Sequence, residues 1–447
     1  MFISLKIENF LSIRDEVEFS LAASNDGKHL PNHAFFPEGH QQGILKSIGI
    51  YGANASGKSN VLKAFMALKY LVQRTGDLKN GEKIACYQPY KLSKLTKTAP
   101  TKFTVEFLLK SGTKYIYSIS YNAFEILSEV LDYYPSRARA NLFTRSDNDG
   151  WEDIKFGGHY KGGSRRIAFF KNNAYLSKAG NNASSPDVVK EIYEYFNTGL
   201  VNIGIHTGIS MSSVEDLDAR QGMTKNISTF LSLIDTGVKS IELKDRDTSE
   251  IKIPDDIPEE VRQAIIDENS VNVVFSHETD YGDDELFQEH EESDGTQRLL
   301  SVSPLLIIAL KSKLTIVFDE LDNKLHPHIA DLIIRLFNDP RINVHGSQLI
   351  FSTHNMQLMT PDKMRRDQIW FSDKKNGVTS IYSLNDFDKN KVKTNTPYNK
   401  WYDDGRFGGV PRINYTKIVN FLLSDTKENE PDDDVFGSVD DILEHKD

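Results

Sequence analysis

Residues 52–60 constrain the fold of this chain more than any other stretch, and they read GANASGKSN. The segment fits the pattern G-x-x-x-x-G-K-[ST], and its glycines permit a tight loop whose backbone N–H groups point inward at a phosphate. Residues 48–51 before it are short and apolar, like a buried strand. The residues after it carry apolar side chains at a helical period, namely Val61, Leu62, Phe65, Leu68 and Leu71. Strand, loop and helix in this order predict a nucleotide site that faces the positive end of the helix.

The loop supplies most of the predicted nucleotide ligands, which are Gly52, Asn54, Ser56, Gly57, Lys58, Ser59 and Asn60. Lys58 would bring a positive charge to the β- and γ-phosphates, and the hydroxyl of Ser59 could bind Mg²⁺. The competing interpretation is a glycine-rich turn that arose by chance. The strand before the loop and the helix after it argue against that interpretation.

Two further apolar runs end in residues that suit ATP chemistry. Residues 314–318 lead directly into Asp319 and Glu320, of which the first would hold Mg²⁺ and the second would act as general base toward water. Residues 348–353 end at His354. Because neighbouring parallel strands release their C-terminal residues onto one edge of a sheet, we expect His354 to reach the γ-phosphate. A lone histidine after a strand is also commonly structural.

A polar turn at residues 292–298 opens the helix predicted over residues 297–312. Ser293 is a good helix N-cap, and capping could be its whole role. The same hydroxyl, with the N–H of Gly295 and the positive end of a helix, could also bind an anion.

The order of these motifs resembles that of the ABC-type ATPases of the SMC/RecF/OLD group, and within it the compact bacterial AAA family ATP-binding proteins. Residues 7–13, 325–327 and 402–411 also resemble phrases of this subgroup, so the resemblance covers about 1–182 and 291–415. It implies a composite site, in which ATP on the loop of one chain is closed by Ser293 and Gly295 of another. Asp322 would lie in the loop that joins the two sites. Asp294 departs from the usual pattern, since a glycine is common at its position.

We therefore expect an α/β fold, a P-loop ABC-type ATPase head with an antiparallel β subdomain and an inserted mixed subdomain. The expected parts are an N-terminal lobe at 1–182, an insertion at 183–290, a C-terminal lobe at 291–424 and an acidic disordered tail at 425–447. Within the β subdomain, alternating residues predict a hairpin over 103–121 and further strands near 124–133 and 165–170.

The net charge of −11 is concentrated at the C-terminal end. Residues 425–447 hold ten acidic side chains and two lysines, a net −8, so the other 424 residues carry only −3. The body of the chain therefore gives no bulk-charge signal for nucleic-acid binding. A single cysteine, no visible signal peptide and no apolar run long enough for a bilayer predict a cytoplasmic protein without a membrane partner.

The expected function is that of a regulatory ATPase, acting as a homo-oligomer of at least two chains. Only 93 residues follow His354, which is too few for a TOPRIM nuclease domain after the ATPase. The chain resembles the AriA component of PARIS systems and the RloA/AbiLi-type ATPases, which implies control of a separately encoded effector, such as a TOPRIM-like nuclease, in bacterial anti-phage (abortive infection) defence. A phage protein that acts as trigger, or DNA, would be a further partner. The alternative is a RecF-like repair ATPase that binds DNA directly.

Overall fold

The computed structural model describes residues 1–25, 29–146, 149–204, 216–234, 236–246, 253–254, 257–268, 270–393, 395–411 and 413–428. Met1–Gly409 forms one compact unit, and a second unit begins at Val410. The C-terminal lobe predicted over 291–424 is therefore divided at this point.

The described strands and helices do not alternate regularly along the chain, and the longest run of consecutive strands lies between Thr101 and Phe156. The strands are β1 (Phe2–Glu8), β2 (Val17–Ser20), β3 (Ala34–Phe35), β4 (Ile44–Leu45), β5 (Ser47–Tyr51), β6 (Thr101–Leu108), β7 (Lys114–Tyr121), β8 (Ile126–Tyr134), β9 (Ala140–Arg145), β10 (Lys155–Phe156), β11 (Leu200–Ile203), β12 (Ser240–Asp245), β13 (Val271–Glu278), β14 (Asp284–Gln288), β15 (Thr315–Phe318), β16 (Gln348–Ser352), β17 (Ile369–Lys375) and β18 (Val378–Ser383). The α-helices are α1 (Leu30–His33), α2 (Lys58–Gln73), α3 (Tyr175–Gly180), α4 (Asp187–Asn197), α5 (Leu217–Ser232), α6 (Glu259–Glu268), α7 (Asp294–Lys311), α8 (Pro327–Asn338), α9 (Tyr398–Asp403) and α10 (Tyr415–Glu428).

A six-stranded sheet with the order β11-β15-β16-β5-β17-β18 forms the centre of the first unit. Its first five strands are parallel, and β18 runs antiparallel to β17. Strands β5, β15 and β16 are buried along their whole length, which explains why their sequences are continuous apolar runs rather than alternating ones. Their carboxyl ends meet at one edge of the sheet, as predicted.

A second, antiparallel sheet has the order β10-β9-β8-β7-β6-β1-β2. The predicted hairpin is confirmed as β6 and β7, and the strand expected near 124–133 is β8. The strand predicted at 165–170 is wrong, because that segment lies against α3, where the carbonyl of Arg165 accepts a hydrogen bond from the Tyr175 hydroxyl. The mixed α/β class is confirmed.

Aromatic rings fill the space between the two sheets. Phe65 of α2 meets Phe2 and Phe19 of the antiparallel sheet edge-on, with ring centroids 5.3 and 6.2 Å apart. Phe19 in turn lies 5.0 Å from Trp370 of β17 in the central sheet. The helix that follows the phosphate loop is thereby held between the sheets, so its N-terminus has a fixed position.

Gln348 joins the same two sheets through hydrogen bonds. Its side chain, which is 0% exposed, accepts from the Phe2 N–H at 2.7 Å and donates to the Phe2 carbonyl at 2.9 Å. It also accepts from the Thr315 hydroxyl at 3.1 Å. Gln348, at the start of a central strand, thus supplies hydrogen-bond partners for the buried backbone N–H and carbonyl of Phe2 in β1.

The predicted boundary of the insertion at 183 needs correction. Strand β11 pairs in parallel with β15, and α4 buries Ile192 and Phe196 completely in the main core. Both therefore belong to the ATPase head. The separate small sheet β12-β13-β14, with α5 and α6, begins only after β11. A four-residue edge strand gives too weak a sequence pattern to mark this boundary.

The disordered tail predicted from 425 is wrong for its first four residues. Residues 425–428 complete the last turn of α10, because the helix that begins at Tyr415 continues to Glu428. The rest of the predicted tail, 429–447, lies outside the described residues.

We predict that Gln348→Leu lowers the free energy of unfolding by about 3 kcal/mol, because it leaves the buried N–H and carbonyl of Phe2 without partners. Thr315→Val removes one hydrogen bond to the same side chain and should cost about 1 kcal/mol. Urea unfolding followed by circular dichroism would measure both. Equal losses for the two variants would contradict the role given to Gln348.

Candidate functional site

Two glycines of the phosphate loop cannot carry a side chain. Gly57 has φ +113°, and a Cβ there would run into Thr379. A Cβ on Gly52 would lie 2.5 Å from the carbonyl oxygen of Ser372 and 2.6 Å from Oγ of Ser56. The loop is therefore packed directly against β17 and β18. Both glycines are required by the lack of space for a side chain, and Gly57 is required by its backbone conformation as well.

Lys58 begins α2 and lies folded over the loop. Its Nζ donates to the carbonyl oxygens of Gly52 at 2.9 Å and Ala53 at 3.0 Å, and the residue is only 6% exposed. Burial lowers the pKa of Lys58 to about 8, although nearby Asp319, Glu320 and Asp322 oppose this shift. The predicted phosphate ligand is thus held at the loop, close to the three carboxylates.

Asp319 follows the last residue of β15 and joins the two halves of the site. Its Oδ1 accepts a hydrogen bond from the Ser59 hydroxyl at 3.1 Å and another from the Ser352 hydroxyl at 2.6 Å. A carboxylate oxygen beside a serine hydroxyl is the type of donor set that Mg²⁺ uses together with nucleotide phosphates. Among the described residues, no group of three or more His, Cys, Asp or Glu could hold a metal ion on its own.

Glu320 stands just beyond the strand end in a left-handed backbone conformation, with φ 54°. Its N–H donates to Oγ of Ser352 at 2.8 Å, and its carboxylate accepts from the Asn323 side chain at 3.2 Å. Such a conformation is costly for a residue with a side chain and recurs at functional sites. Here two neighbours hold it in place.

Asp322 and His354 are linked across the ends of β15 and β16. Oδ1 of Asp322 accepts from the Thr353 hydroxyl at 2.5 Å and from the His354 N–H at 3.4 Å. The pKa of His354 is lowered, first by partial burial and then by the charge of Lys58. The neutral ring that this favours at pH 7 can donate one hydrogen bond and accept another.

Ser293 and Gly295 lie at the start of α7. The Ser293 hydroxyl accepts from the Thr296 N–H at 3.2 Å, so it caps the helix as predicted. Asp294 forms an ion pair with Lys324 at 3.2 Å, which sets this turn beside the loop that follows Glu320. Within the part of the chain that the structure describes, neither Ser293 nor Gly295 is hydrogen-bonded to the phosphate loop of its own chain.

Sequence reasoning missed a chain of side-chain hydrogen bonds behind the loop. The Asn60 amide donates to the Ser12 hydroxyl at 2.6 Å, Ser12 lies 2.7 Å from the Thr379 hydroxyl, and Thr379 donates to the Ser56 carbonyl at 2.7 Å. The amide nitrogen of Asn60, which was predicted to contact nucleotide, therefore faces Ser12 here. No local pattern marks Thr379, because a threonine is ordinary in a strand.

The end of the first unit also contacts the loop. The carbonyl of Gly409 accepts from the Ala53 N–H at 2.7 Å and from the Tyr402 hydroxyl at 2.9 Å. Tyr402 and Gly409, which belong to the segment that resembles the ATPase subgroup, therefore support the loop.

Comparison with known proteins places this site in a family. Residues 47–360 match the AAA_21 family, described as "AAA domain, putative AbiEii toxin, Type IV TA system". None of the curated proteins compared with the chain matches it.

The solved structures that are similar to this chain include two at low identity. The first, the SMC head bound to the C-winged helix domain of ScpA, has 12% identity and a TM-score of 0.40, with 88% of this chain and 99% of that one covered. The second, the recombination mediator RecF with ATP, has 13% identity and a TM-score of 0.34, with 85% and 97% covered.

The family match spans well over half of the chain, so the protein belongs to the AAA_21 family. It therefore contains an ATPase domain of the AAA type, which agrees with the phosphate loop at residues 52–59. The phosphate loop, the two carboxylates after β15 and His354 all lie at one edge of the central sheet. None of the described helices combines the length and apolar character that crossing a membrane requires.

We predict that Thr379→Val weakens ATP binding about fivefold, because the loop loses a hydrogen bond worth about 1 kcal/mol that holds its Ser56 carbonyl. Thr379→Ser keeps the hydroxyl and serves as the matched control. Titration calorimetry with ATP would measure both dissociation constants. An unchanged constant for the valine variant would show that the loop needs no support from β18.

Proposed function

We propose that the residues at the sheet edge divide the work of ATP hydrolysis among them. Lys58 and the loop N–H groups bind the β- and γ-phosphates, while Ser59 and Asp319 hold Mg²⁺, whose charge would offset that of the phosphates. Glu320 takes a proton from the attacking water as the water oxygen bonds to the γ-phosphorus and the bond from that phosphorus to ADP breaks. His354 donates a hydrogen bond to a γ-phosphate oxygen. The shared contacts of Ser59 and Ser352 with Asp319 are the observation that carries this assignment.

The site is completed by a second copy of the chain. Ser293 caps the N-terminus of α7, and Gly295 lies in its first turn. In the described residues neither is hydrogen-bonded to the loop of its own chain, and a helix N-terminus attracts anions. Facing a second chain, it would bind the γ-phosphate on that chain's loop, with Asp322 beside the interface. ATP then acts as the link between two copies.

Mixing two inactive variants tests this composite site. Lys58→Ala removes the phosphate ligand, and Ser293→Asp keeps a good helix cap while placing a negative charge where the phosphate would bind. Each variant alone should hydrolyse almost no ATP. An equal mixture should recover about a quarter of wild-type turnover, because half of the randomly formed dimers contain one intact site. A mixture as inactive as its components would refute the composite arrangement.

The assembled ATPase controls a separately encoded effector, such as a TOPRIM-like nuclease, in defence against phage by abortive infection. The description of the matching family, which refers to a toxin and a type IV toxin–antitoxin system, supports this role. A phage protein is the proposed trigger. The composition of the chain adds to the argument, since the residues outside 425–447 carry a net charge of only −3 and do not favour direct DNA binding.

A variant that binds ATP without hydrolysing it tests the function as a whole. Glu320→Gln should keep ATP affinity, but its turnover should fall at least about a hundredfold, since general base catalysis supplies at least that factor. It should also retain the product of the adjacent gene in an ATP-dependent pull-down. Lys58→Ala, which should lose nucleotide binding, is the control that retains nothing.

The same two variants separate the effector role from DNA repair. Salt-sensitive, ATP-dependent binding of duplex DNA by Glu320→Gln, without retention of the neighbouring gene product, would favour a RecF-like repair ATPase instead. Normal turnover by Glu320→Gln would remove Glu320 as the base.

A further inference from the structure

Strand β14 forms an open edge of the small inserted sheet. It pairs with β13 on one side only, and all five of its residues are exposed. Within the described ranges, no strand covers its other side. Tyr281, in the turn before it, is 93% exposed, and Leu286 and Phe287 on the strand are 40% and 36% exposed. An open strand edge with exposed apolar side chains is a surface to which another strand can pair.

The hydrogen bonds of the hairpin show which backbone groups point outward. The N–H of Thr279 donates to the carbonyl of Asp283, and the register pairs Glu278 with Asp284. Because bonded and non-bonded pairs alternate along an antiparallel ladder, Glu285 and Phe287 direct their groups at β13. The N–H groups of residues 284, 286 and 288 point away from it. The Gln288 N–H is taken by the Glu291 carboxylate, which fits this direction.

The charge of the edge restricts what can pair with it. Residues 278–292 contain eight acidic side chains and no lysine or arginine. Among the described residues, the ion pair between Asp284 and Lys239 of the adjoining segment offsets one of these charges. A second β14 edge would bring carboxylates against carboxylates, and a nucleic acid would bring phosphates. A strand rich in lysine or arginine is the complementary occupant.

The edge is also connected to the predicted ATP-closing turn. His277 of β13 lies 2.6 Å from the Glu292 carboxylate, and the Glu292 carbonyl accepts from the Gln297 side chain at 2.9 Å. Glu292 directly precedes Ser293. A strand added to β14 would therefore stiffen a sheet that is bonded to the N-terminus of α7.

From these contacts we infer that the β14 edge is a docking site for an extended basic segment of a partner protein, which adds as a fourth strand beside β14. The inference rests on the proposed function for the partner's identity, namely the effector or the trigger. The docking itself depends only on the open N–H groups, the exposed apolar side chains and the surrounding acidic charge.

A labelled nine-residue peptide of alternating lysine and threonine is a suitable probe, with the same peptide carrying glutamate for lysine as its control. Fluorescence anisotropy with the full-length chain should show binding of the basic peptide only. Leu286→Pro removes an outward N–H yet leaves the pairing with β13 intact, so it should weaken binding about tenfold, the value of one or two backbone hydrogen bonds. Leu286→Val keeps the N–H and should bind normally.

A charge reversal supplies an independent test. The double variant Asp283→Lys, Glu285→Lys changes the charge of residues 278–292 from −8 to −4, so it should weaken binding of the basic peptide. Equal binding to Leu286→Pro and Leu286→Val would overturn strand pairing and leave only diffuse attraction of charges. The inference would also be overturned if the wild type bound both peptides, if it bound neither peptide, or if two chains associated through β14. Because ATP turnover is measured separately, intact turnover with failed peptide binding would refute the docking site and leave the ATPase role standing.

Discussion

A single carboxylate oxygen, Oδ1 of Asp319, holds the site together. It receives hydrogen bonds from Ser59 at the start of α2 and from Ser352 at the end of β16, while Asp319 itself follows β15. Three elements that are far apart in the sequence therefore meet at one charged atom. Hydrogen bonds to an ionised acceptor are about twice as strong as neutral ones, so this point resists displacement. Glu320 depends on it as well, since its N–H uses the same Ser352 hydroxyl.

Much of this site was predictable because chemistry ties residue types to places. A phosphate loop needs glycines and a lysine between a strand and a helix, and polar residues that follow buried parallel strands meet at one edge of the sheet. The sequence therefore predicts that Lys58, Asp319 and His354 lie at one edge of the sheet. The supporting contacts of Ser12, Thr379 and Gly409 were not predictable. Any hydroxyl or carbonyl group can make such a hydrogen bond, and only the fold determines which one lies next to the phosphate loop. The same holds for β11, whose four residues give no clear period.

Lys58 stabilises the phosphate loop through hydrogen bonds as well as through its positive charge. Its ammonium group is mostly removed from water, and burial at this level would be costly without hydrogen-bond partners. The carbonyls of Gly52 and Ala53 supply two of them. A phosphate that arrives at the loop must therefore replace interactions that the lysine already makes. The net gain from binding is the difference between the interactions of Lys58 with the phosphate and its interactions with the two carbonyls. This difference is largest for phosphate groups of high negative charge.

The hydrogen bond between Ala53 and Gly409 has a consequence for how the protein is made. The two residues are separated by 356 positions, so the phosphate loop leaves the ribosome long before its last support is synthesised. The central sheet is in the same situation, since β5 lies between β16 and β17 and cannot be enclosed until both have emerged. Long-range pairings of this kind form late in folding. A nascent or prematurely terminated chain would hence carry the whole loop sequence and still lack a finished nucleotide site. Nucleotide binding therefore requires that the whole first unit has been synthesised.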